Sequence, residues 1–433
     1  MVIMDKQTKK YEHTHKLDLY LDADHQLINQ SINFMAQRLS LVRKEQVNAL
    51  KIVLLNLFVC RYQKIRVSRA RKAKIPCRYN PLNVGYSALI TILDKLSTNN
   101  WIHQEIGKYD LGKGQGTMTT IMCTTKLCSL FDKDLWSLVH IKFFNHELVR
   151  MRKPTKNNKS KDRKFVNYID SGYSTWVREI LTKYNALLQR TKIYIGGKFI
   201  EDFVVSRVFI DYEKHDADNN TLFAFGGRMY GPWCNFSKSV RATTLLNDEK
   251  TVEIDYEAAH VNAMYKSKTG KFYQHGDPYH LVVKTHAIPR GVVKQFATIM
   301  QNTTFNNVIQ SIEAAYRKPD KNEDEVLQYK TIKQLVRPID IIYAYLKKHD
   351  EVASYYLKDK MMGSHIQHWE SDMLFEVVKQ LTDLSIPALT VYDSVIVQEQ
   401  HYDLAFQLMH ETPAQNRVLT TTNHYIKRQG IGG

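Results

Sequence analysis

The segments VEIDYEAAH (residues 252–260) and LTVYDSVIV (residues 389–397) decide the fold of this chain. Each is a short run of β-branched and apolar residues that carries one aspartate, Asp255 or Asp393, where a strand ends or turns. A carboxylate in such a position can face solvent while its backbone stays hydrogen-bonded. We therefore predict two strands of one sheet, which are separated along the chain by a helical insertion.

Two carboxylates on neighbouring strands are what two-metal phosphoryl transfer requires. Such a pair holds divalent ions about 3.5–4 Å apart, so that one ion activates the attacking oxygen and the other stabilises the leaving oxygen. The sequence thus predicts Asp255 and Asp393 as catalytic residues and metal ligands. Mg²⁺ is the expected cofactor, with Mn²⁺ as the alternative, because hard oxygen ligands and substrate phosphates suit Mg²⁺.

The charge of the chain points to a polyanionic partner. Its 433 residues include 61 Lys and Arg against 44 Asp and Glu, which gives a formal net charge of +17. Such a surface attracts nucleic acid and is poorly suited to a neutral small substrate. The alternative is a protein that is basic without a nucleic-acid partner.

The compartment is expected to be reducing. Five cysteines are scattered over a long chain, so a disulfide framework is not expected. The N-terminal residues lack the apolar stretch of a signal peptide, and the apolar run 52–59 is shorter than the ~20 residues of a membrane span. We therefore expect a cytoplasmic protein that has no membrane partner.

The N-terminal half contains a pattern typical of a winged helix. An amphipathic helix over 86–96 precedes a strand at 101–103, a Gly- and Lys-rich turn and a second strand at 117–123. Lys108 and Lys113 would lie in the wing and contact a nucleic-acid backbone. Winged helices also serve as protein-interaction modules, and that alternative stays open.

An Arg-x-x-x-Lys pair lies between the two aspartate strands. Arg290 and Lys294 are one helical turn apart, so both cations project from one face of a predicted helix and can meet adjacent phosphates of a triphosphate. Thr298, Gln301 and Asn302 continue that face and would lie against the base or the sugar; simple helix packing is the alternative.

Together, the segments from Gly226 onward resemble the palm and fingers of family A nucleotide polymerases, the class of bacterial DNA polymerase I. The resemblance rests on four motifs in the family's order: GGRMY with Asn235 and Arg241, the Asp255-Tyr256 strand with His260, Arg290-x-x-x-Lys294, and the Tyr392-Asp393-Ser394 turn. It covers about residues 205–433.

The resemblance implies a role for each matching residue. It implies nucleic-acid contacts for Arg228, Asn235, Arg241 and Gln367, and nucleotide contacts for Arg290, Lys294, Tyr256, His260, Thr298 and Asn302. It also implies that the backbone carbonyl of Tyr256 is a further metal ligand. Glu370 would add a carboxylate near the metals, although an acid that favours the helix macrodipole explains it as well.

The expected fold is α+β. It comprises a polymerase right hand, with an antiparallel palm sheet, helical fingers and a thumb, preceded by a winged-helix-like domain. The predicted regions are a basic helical N-terminal region (1–80), the winged helix (81–140), a basic linker with a thumb-like helix (141–204), the first palm part (205–278), the fingers (279–365) and the second palm part (366–433).

The expected function is template-directed DNA synthesis in the replication of a mobile element, plasmid or phage. The partners would be primer-template DNA and nucleoside triphosphates. The chain departs from the family at His260, where a glutamate is usual, and at Tyr392 and Ser394, where histidine and glutamate are usual. Three alternatives stay open: an RNA-synthesising or primase-like polymerase, a ribonuclease H-type nuclease, and a non-catalytic winged-helix replication factor.

Overall fold

The computed structural model places the described residues in two compact units. It describes residues 14–61, 63–69, 76–110, 115–143, 146–154, 165–201, 203–212, 223–271, 273–318, 321–359, 361–415 and 426–429. Unit 1 comprises Met1–Glu147 and Thr155–Asn167, and unit 2 comprises Leu148–Pro154 and Tyr168–Gly433.

Unit 1 combines helices with a small sheet. Its elements are β1 (Thr14–Lys16), β2 (Leu21–Ala23), α1 (Gln26–Arg38), α2 (Lys44–Val59), β3 (Lys64–Val67), α3 (Tyr86–Thr98), β4 (Ile102–Glu105), β5 (Tyr109–Asp110), β6 (Gln115–Gly116), β7 (Thr119–Cys123), α4 (Thr125–Lys133) and β8 (Ile141–Phe143). The sheet order is β1-β3-β7-β4, and β7 is antiparallel to both β3 and β4. The predicted helix and the two strands that follow it are therefore present.

One apolar core joins the helices of unit 1. Helix α2 is hydrophobic around most of its circumference, and its apolar residues from Ala49 to Phe58 are buried against α1, α3 and α4. The predicted boundary at residue 80 falls between α2 and α3 in the sequence. Both helices contribute residues to this one core. Lys108 follows β4 and is exposed, whereas Lys113 lies outside the described residues.

Unit 2 is built around an antiparallel sheet. Its elements are β9 (Val149–Arg152), α5 (Gly172–Gln189), β10 (Ile193–Ile195), β11 (Lys198–Phe199), β12 (Ser206–Ile210), β13 (Gly226–Tyr230), α6 (Lys238–Arg241), β14 (Leu245–Leu246), β15 (Glu249–Tyr256), α7 (Ala259–Thr269), β16 (Leu281–Val283), β17 (His286–Ile288), α8 (Arg290–Met300), α9 (Val308–Tyr316), α10 (Glu323–Leu335), α11 (Pro338–Lys348), α12 (Met362–Asp383), β18 (Ala388–Val391), β19 (Ser394–Gln398), α13 (Tyr402–Gln415) and β20 (Ile426–Gln429). The predicted α+β class is confirmed.

Strand β15 lies at the centre of the main sheet. The sheet order is β11-β10-β14-β15-β19-β18, and β20 pairs with the second half of β15. All of these pairs are antiparallel. The hairpin of β18 and β19 is buried along its whole length, which fixes the turn between them.

A helical insertion separates β15 from β18, as the sequence predicts. Residues from α7 to the start of α12 form a separate apolar cluster, which runs from Val261 to Ile366 and therefore begins before the predicted fingers boundary at 279. Helix α8 buries Val292, Val293 and Phe296 in this cluster and turns its polar side outward. Among the described residues, every helix lacks the length or the hydropathy that a membrane-spanning segment needs.

A buried arginine connects α12 to a second sheet, which has the order β13-β12-β9. The Arg207 side chain is fully buried, and it donates to Asp372 of α12 at 2.7 Å and to the Gly227 carbonyl at 2.7 Å. Gly227 has a φ of +84°, and a Cβ there would lie 2.9 Å from the Arg207 guanidinium. Glycine is therefore required beside this arginine.

Replacing Arg207 with methionine should strongly destabilise unit 2. The substitution leaves the Asp372 carboxylate without its main ionic partner, and breaking a buried pair in this way costs about 3–5 kcal/mol. Urea unfolding followed by circular dichroism measures the effect. Lys192→Met is the matched control, because Lys192 pairs with Asp248 at an exposed position; equal unfolding midpoints for the two variants would contradict the assignment.

Candidate active site

Strand pairing brings the two predicted aspartates together. In the register of β15 and β19, Asp255 lies opposite Ser394, the residue that follows Asp393. The amide of Tyr256 donates to the carbonyl of Asp393 at 3.4 Å. The predicted proximity of Asp255 and Asp393 on adjoining strands is therefore confirmed.

Burial, more than the neighbouring charges, disfavours the ionisation of both carboxylates. Burial raises the pKa of Asp255 to about 6, and the charge of Glu253 adds to this effect. Burial also raises the pKa of Asp393, to about 7, with further contributions from the charges of Glu370 and Asp255. A cluster of acids with raised pKa values is a site where a cation would be stabilised.

Backbone strain accompanies both aspartates. Tyr392, in the turn between β18 and β19, has a φ of +58°, and Ala258, between β15 and α7, has a φ of +51°. Residues other than glycine rarely adopt this left-handed conformation. At Tyr392 it produces the tight turn that places Asp393 at the end of β15, and at Ala258 it turns the chain sharply from Glu257 into α7.

Arg241 and Ser394 hold a third acid beside Asp255. Glu253 lies two residues before Asp255 and therefore on the same face of β15. Arg241 pairs with Glu253 at 2.9 Å, and the Ser394 hydroxyl donates to the same carboxylate at 2.9 Å. Arg241 is thus engaged by this acid, and its predicted contact with nucleic acid stays a prediction.

Glu370 is the centre of a buried polar network. Arg228 donates to both of its oxygens at 2.9 Å, and His260 lies 3.0 Å away and bonds through its other ring nitrogen to Gln301 at 2.8 Å. Burial alone would raise the pKa of Glu370, but Arg228 and His260 lower it to about 2. Glu370 lies well inside α12, so the helix-terminus interpretation of this acid is wrong.

The side chains around this network explain several predicted positions. The Gln367 amide lies against Arg228, within 3.0 Å of its guanidinium when the amide oxygen faces it. Arg228 also lies over the Tyr392 ring, 5.0 Å from its centroid. Arg228, His260 and Gln367 are thus brought together near Asp393, whereas Gln301 is buried and does not belong to the outward face of α8.

The cations of α8 lie on the predicted exposed face. Arg290 and Lys294 are both exposed, and the positive charge of Lys294 acts on Asp255, where it opposes the rise in pKa. Arg290 is already paired, at 2.8 Å with Asp277 and at 3.0 Å with Glu257. The sequence pattern gave no sign of these two acidic partners.

The remaining predicted residues differ in their surroundings. Thr298 and Asn302 are exposed, and each donates to a carbonyl one turn earlier in the chain. Asn235 is exposed and donates to the Pro232 carbonyl at 3.3 Å. The Tyr256 side chain is buried and donates to the Met409 carbonyl at 2.5 Å, so its ring does not serve as a nucleotide contact; the role of its backbone carbonyl stays a prediction.

The donor set fits a hard divalent cation. Within the described ranges, no group of three or more His, Cys, Asp or Glu side chains is arranged to hold a metal. The site instead offers Asp255 and Asp393, with Glu253 beside them. Mg²⁺ is commonly bound by one or two carboxylates and completes its coordination with water and substrate oxygens, so the pair Asp255 and Asp393 is chemically compatible with it.

Part of this site lacks a sequence signal. The sequence pointed to Glu370 and Gln301 but not to their contacts, and it did not point to Asp277, because no local pattern marks pairs between separate segments. The strand pattern around Asp255 and Asp393, in contrast, was sufficient to find the acids.

Two comparisons with known proteins found no match to this chain. The chain matches no protein-family model, and a search of curated proteins found no similar sequence.

The raised pKa of Asp393 predicts a specific pH dependence of stability. Its folded pKa is about 7, above the ordinary value of about 3.9, so its ionisation destabilises the fold progressively as the pH rises from about 4 to about 7. Asp393→Asn should therefore raise the melting temperature at about pH 8 and change it little at about pH 4. Thermal unfolding in a chelating buffer measures the difference.

Mg²⁺ should reduce the difference in melting temperature between Asp393→Asn and the parent at about pH 8, because a bound cation stabilises the ionised parent. Asp248→Asn removes an exposed acid and serves as the control for charge alone. A difference between Asp393→Asn and the parent that does not vary with pH would contradict the raised pKa.

Proposed function

We propose that this protein is a template-directed nucleic-acid polymerase, most simply a DNA-directed DNA polymerase. The observation that carries the proposal is the adjacency of Asp255 and Asp393 on paired strands, with a helical insertion between them that presents Arg290 and Lys294. The palm would be the antiparallel sheet of unit 2, and the fingers would be the insertion. The thumb would be formed by α5.

The proposed reaction is attack of a 3′-hydroxyl on the α-phosphorus of a nucleoside triphosphate. Asp255 and Asp393 would hold Mg²⁺, which when bound lowers the pKa of the attacking hydroxyl and neutralises phosphate charge. Lys294 and Arg290 would bind the triphosphate and offset the charge that develops on the departing pyrophosphate. Positioning and electrostatics supply the catalysis, because the protein forms no covalent bond.

The buried network would position groups around the nucleotide. His260 is one quarter exposed and is fixed on two sides by Glu370 and Gln301. In the proposed complex its ring faces the sugar of the incoming nucleotide. Arg228 and Gln367 lie on the side of Asp393 and would contact the primer-template.

Unit 1 is proposed to be a winged helix that binds nucleic acid. The order β3-β7-β4, with α3 preceding the hairpin, supports this assignment. The cations on and near α3 are engaged, because Lys95 donates to the Leu39 carbonyl and Arg69 pairs with Asp94. Contact with phosphates would therefore come from the hairpin, which includes Lys108.

Primer extension tests the proposal directly. Asp255→Asn and Asp393→Asn should each reduce extension of a labelled primed template by about 10²–10³-fold, because each removes a carboxylate that would hold the cation that stabilises negative charge in the transition state. Asp383→Asn, at the exposed end of α12, is the matched control and should extend like the parent. Each deoxynucleotide and ribonucleotide set is supplied in turn.

DNA binding in the same samples separates the alternatives. Fluorescence anisotropy should show that all variants bind the primed template, with an affinity that falls steeply as salt rises. Binding without incorporation by the parent would indicate a non-catalytic replication factor, and degradation of the template without nucleotides would indicate a nuclease. Unimpaired extension by the Asp255 and Asp393 variants would contradict the catalytic assignment.

A further inference from the structure

The proposed nucleotide cation Arg290 is held by two acids that belong to two different segments. Its Nε donates to Asp277 at 2.8 Å, and its Nη2 donates to Glu257 at 3.0 Å. Glu257 follows β15 directly, whereas Asp277 precedes β16 in the insertion. The guanidinium therefore bridges the end of the catalytic strand and the insertion.

The Asp277 segment is built to hold its carboxylate in place. One Asp277 oxygen accepts from the Tyr279 amide at 3.0 Å, which leaves the other for Arg290. Lys348 donates to the Asp277 carbonyl at 2.9 Å and also to the His280 carbonyl, and His349 contacts the Pro278 carbonyl at 2.9 Å. This acid is thus fixed by the end of α11.

Glu257 is positioned by the strained turn at Ala258. The left-handed conformation of Ala258 redirects the chain immediately after Glu257. Arg290 also lies over the buried Tyr279 ring, 5.1 Å from its centroid, which limits where the guanidinium can rest. The three charged groups consequently form a defined arrangement.

The ion pairs of Arg290 with Glu257 and Asp277 are partly exposed to solvent, which limits their strength. Arg290 is 45% exposed, Glu257 42% and Asp277 37%. Ion pairs that are this exposed to solvent contribute little stabilisation. A ligand with several negative charges can therefore displace the two carboxylates from Arg290. A polyphosphate also offers the paired oxygen acceptors that a guanidinium fork binds best.

We infer that Glu257 and Asp277 form a carboxylate latch, which occupies the phosphate-binding edge of Arg290 and must be displaced by the triphosphate. The inference rests on the proposed function and adds two residues that set nucleotide affinity. The latch keeps Arg290 from binding weaker anions, because every phosphate ligand has to compete with two carboxylates. It also links phosphate binding to the contact between the catalytic strand and the insertion.

Binding of a polyphosphate to the full chain tests the latch without catalysis. Inorganic tripolyphosphate competes with a base-labelled deoxynucleoside triphosphate in an anisotropy assay at low salt. Glu257→Gln and Asp277→Asn should each bind tripolyphosphate about 1.5- to 5-fold more tightly, as expected when one competing exposed pair is removed. Primer extension should show a lower nucleotide KM in these variants.

Two further variants distinguish the latch from a general change in charge. Glu323→Gln removes an exposed acid at the start of α10 and should leave the affinity unchanged. In the background of Arg290→Ala, Glu257→Gln should give no gain, because the two residues act through one contact.

Failure of the latch and failure of the proposed function give different experimental results. If the parent binds and incorporates nucleotides but Glu257→Gln and Asp277→Asn bind tripolyphosphate no more tightly, the latch is wrong and the proposed function stands. If the parent neither binds triphosphate nor incorporates nucleotides, the proposed function and the latch are both overturned. A gain that persists without Arg290 would also refute the latch.

Discussion

The pairing of β15 with β19 is the constraint on which the rest of unit 2 depends. It brings Asp255 and Asp393 together from distant parts of the chain, and the Tyr392 turn fixes the second acid at the end of the first strand. The pairing has an electrostatic cost, because two partly buried carboxylates repel each other. The surrounding side chains can be understood as the response to that cost.

Each acid near the site has a cation close to it. Glu370 is paired with Arg228, Glu253 with Arg241, and Asp255 is influenced by Lys294. Asp255 and Asp393 nevertheless keep raised pKa values, so the protein does not fully compensate the two central carboxylates. A bound divalent cation would offset both the burial of these carboxylates and their mutual repulsion, and this is the physical basis for proposing a divalent cation and a phosphate-transfer reaction.

The sequence predicted the local features of this site and missed most of its side-chain partners. Strand periodicity located Asp255 and Asp393, and helical spacing placed Arg290 and Lys294 on the exposed face of α8. The partners of Arg290 and the burial of Gln301 were not predictable, because they depend on how segments far apart in sequence meet. The core shared by α2 and α3 was not predictable for the same reason, since it leaves no local break in the sequence pattern.

The most direct test of the central claim is to locate a divalent cation in the protein. Crystals grown with Mn²⁺ would reveal bound ions by anomalous diffraction. The account predicts Mn²⁺ coordinated by the carboxylates of both Asp255 and Asp393, and loss of that signal in the Asp393→Asn variant. Mn²⁺ bound elsewhere, with the two carboxylates pointing apart, would contradict it.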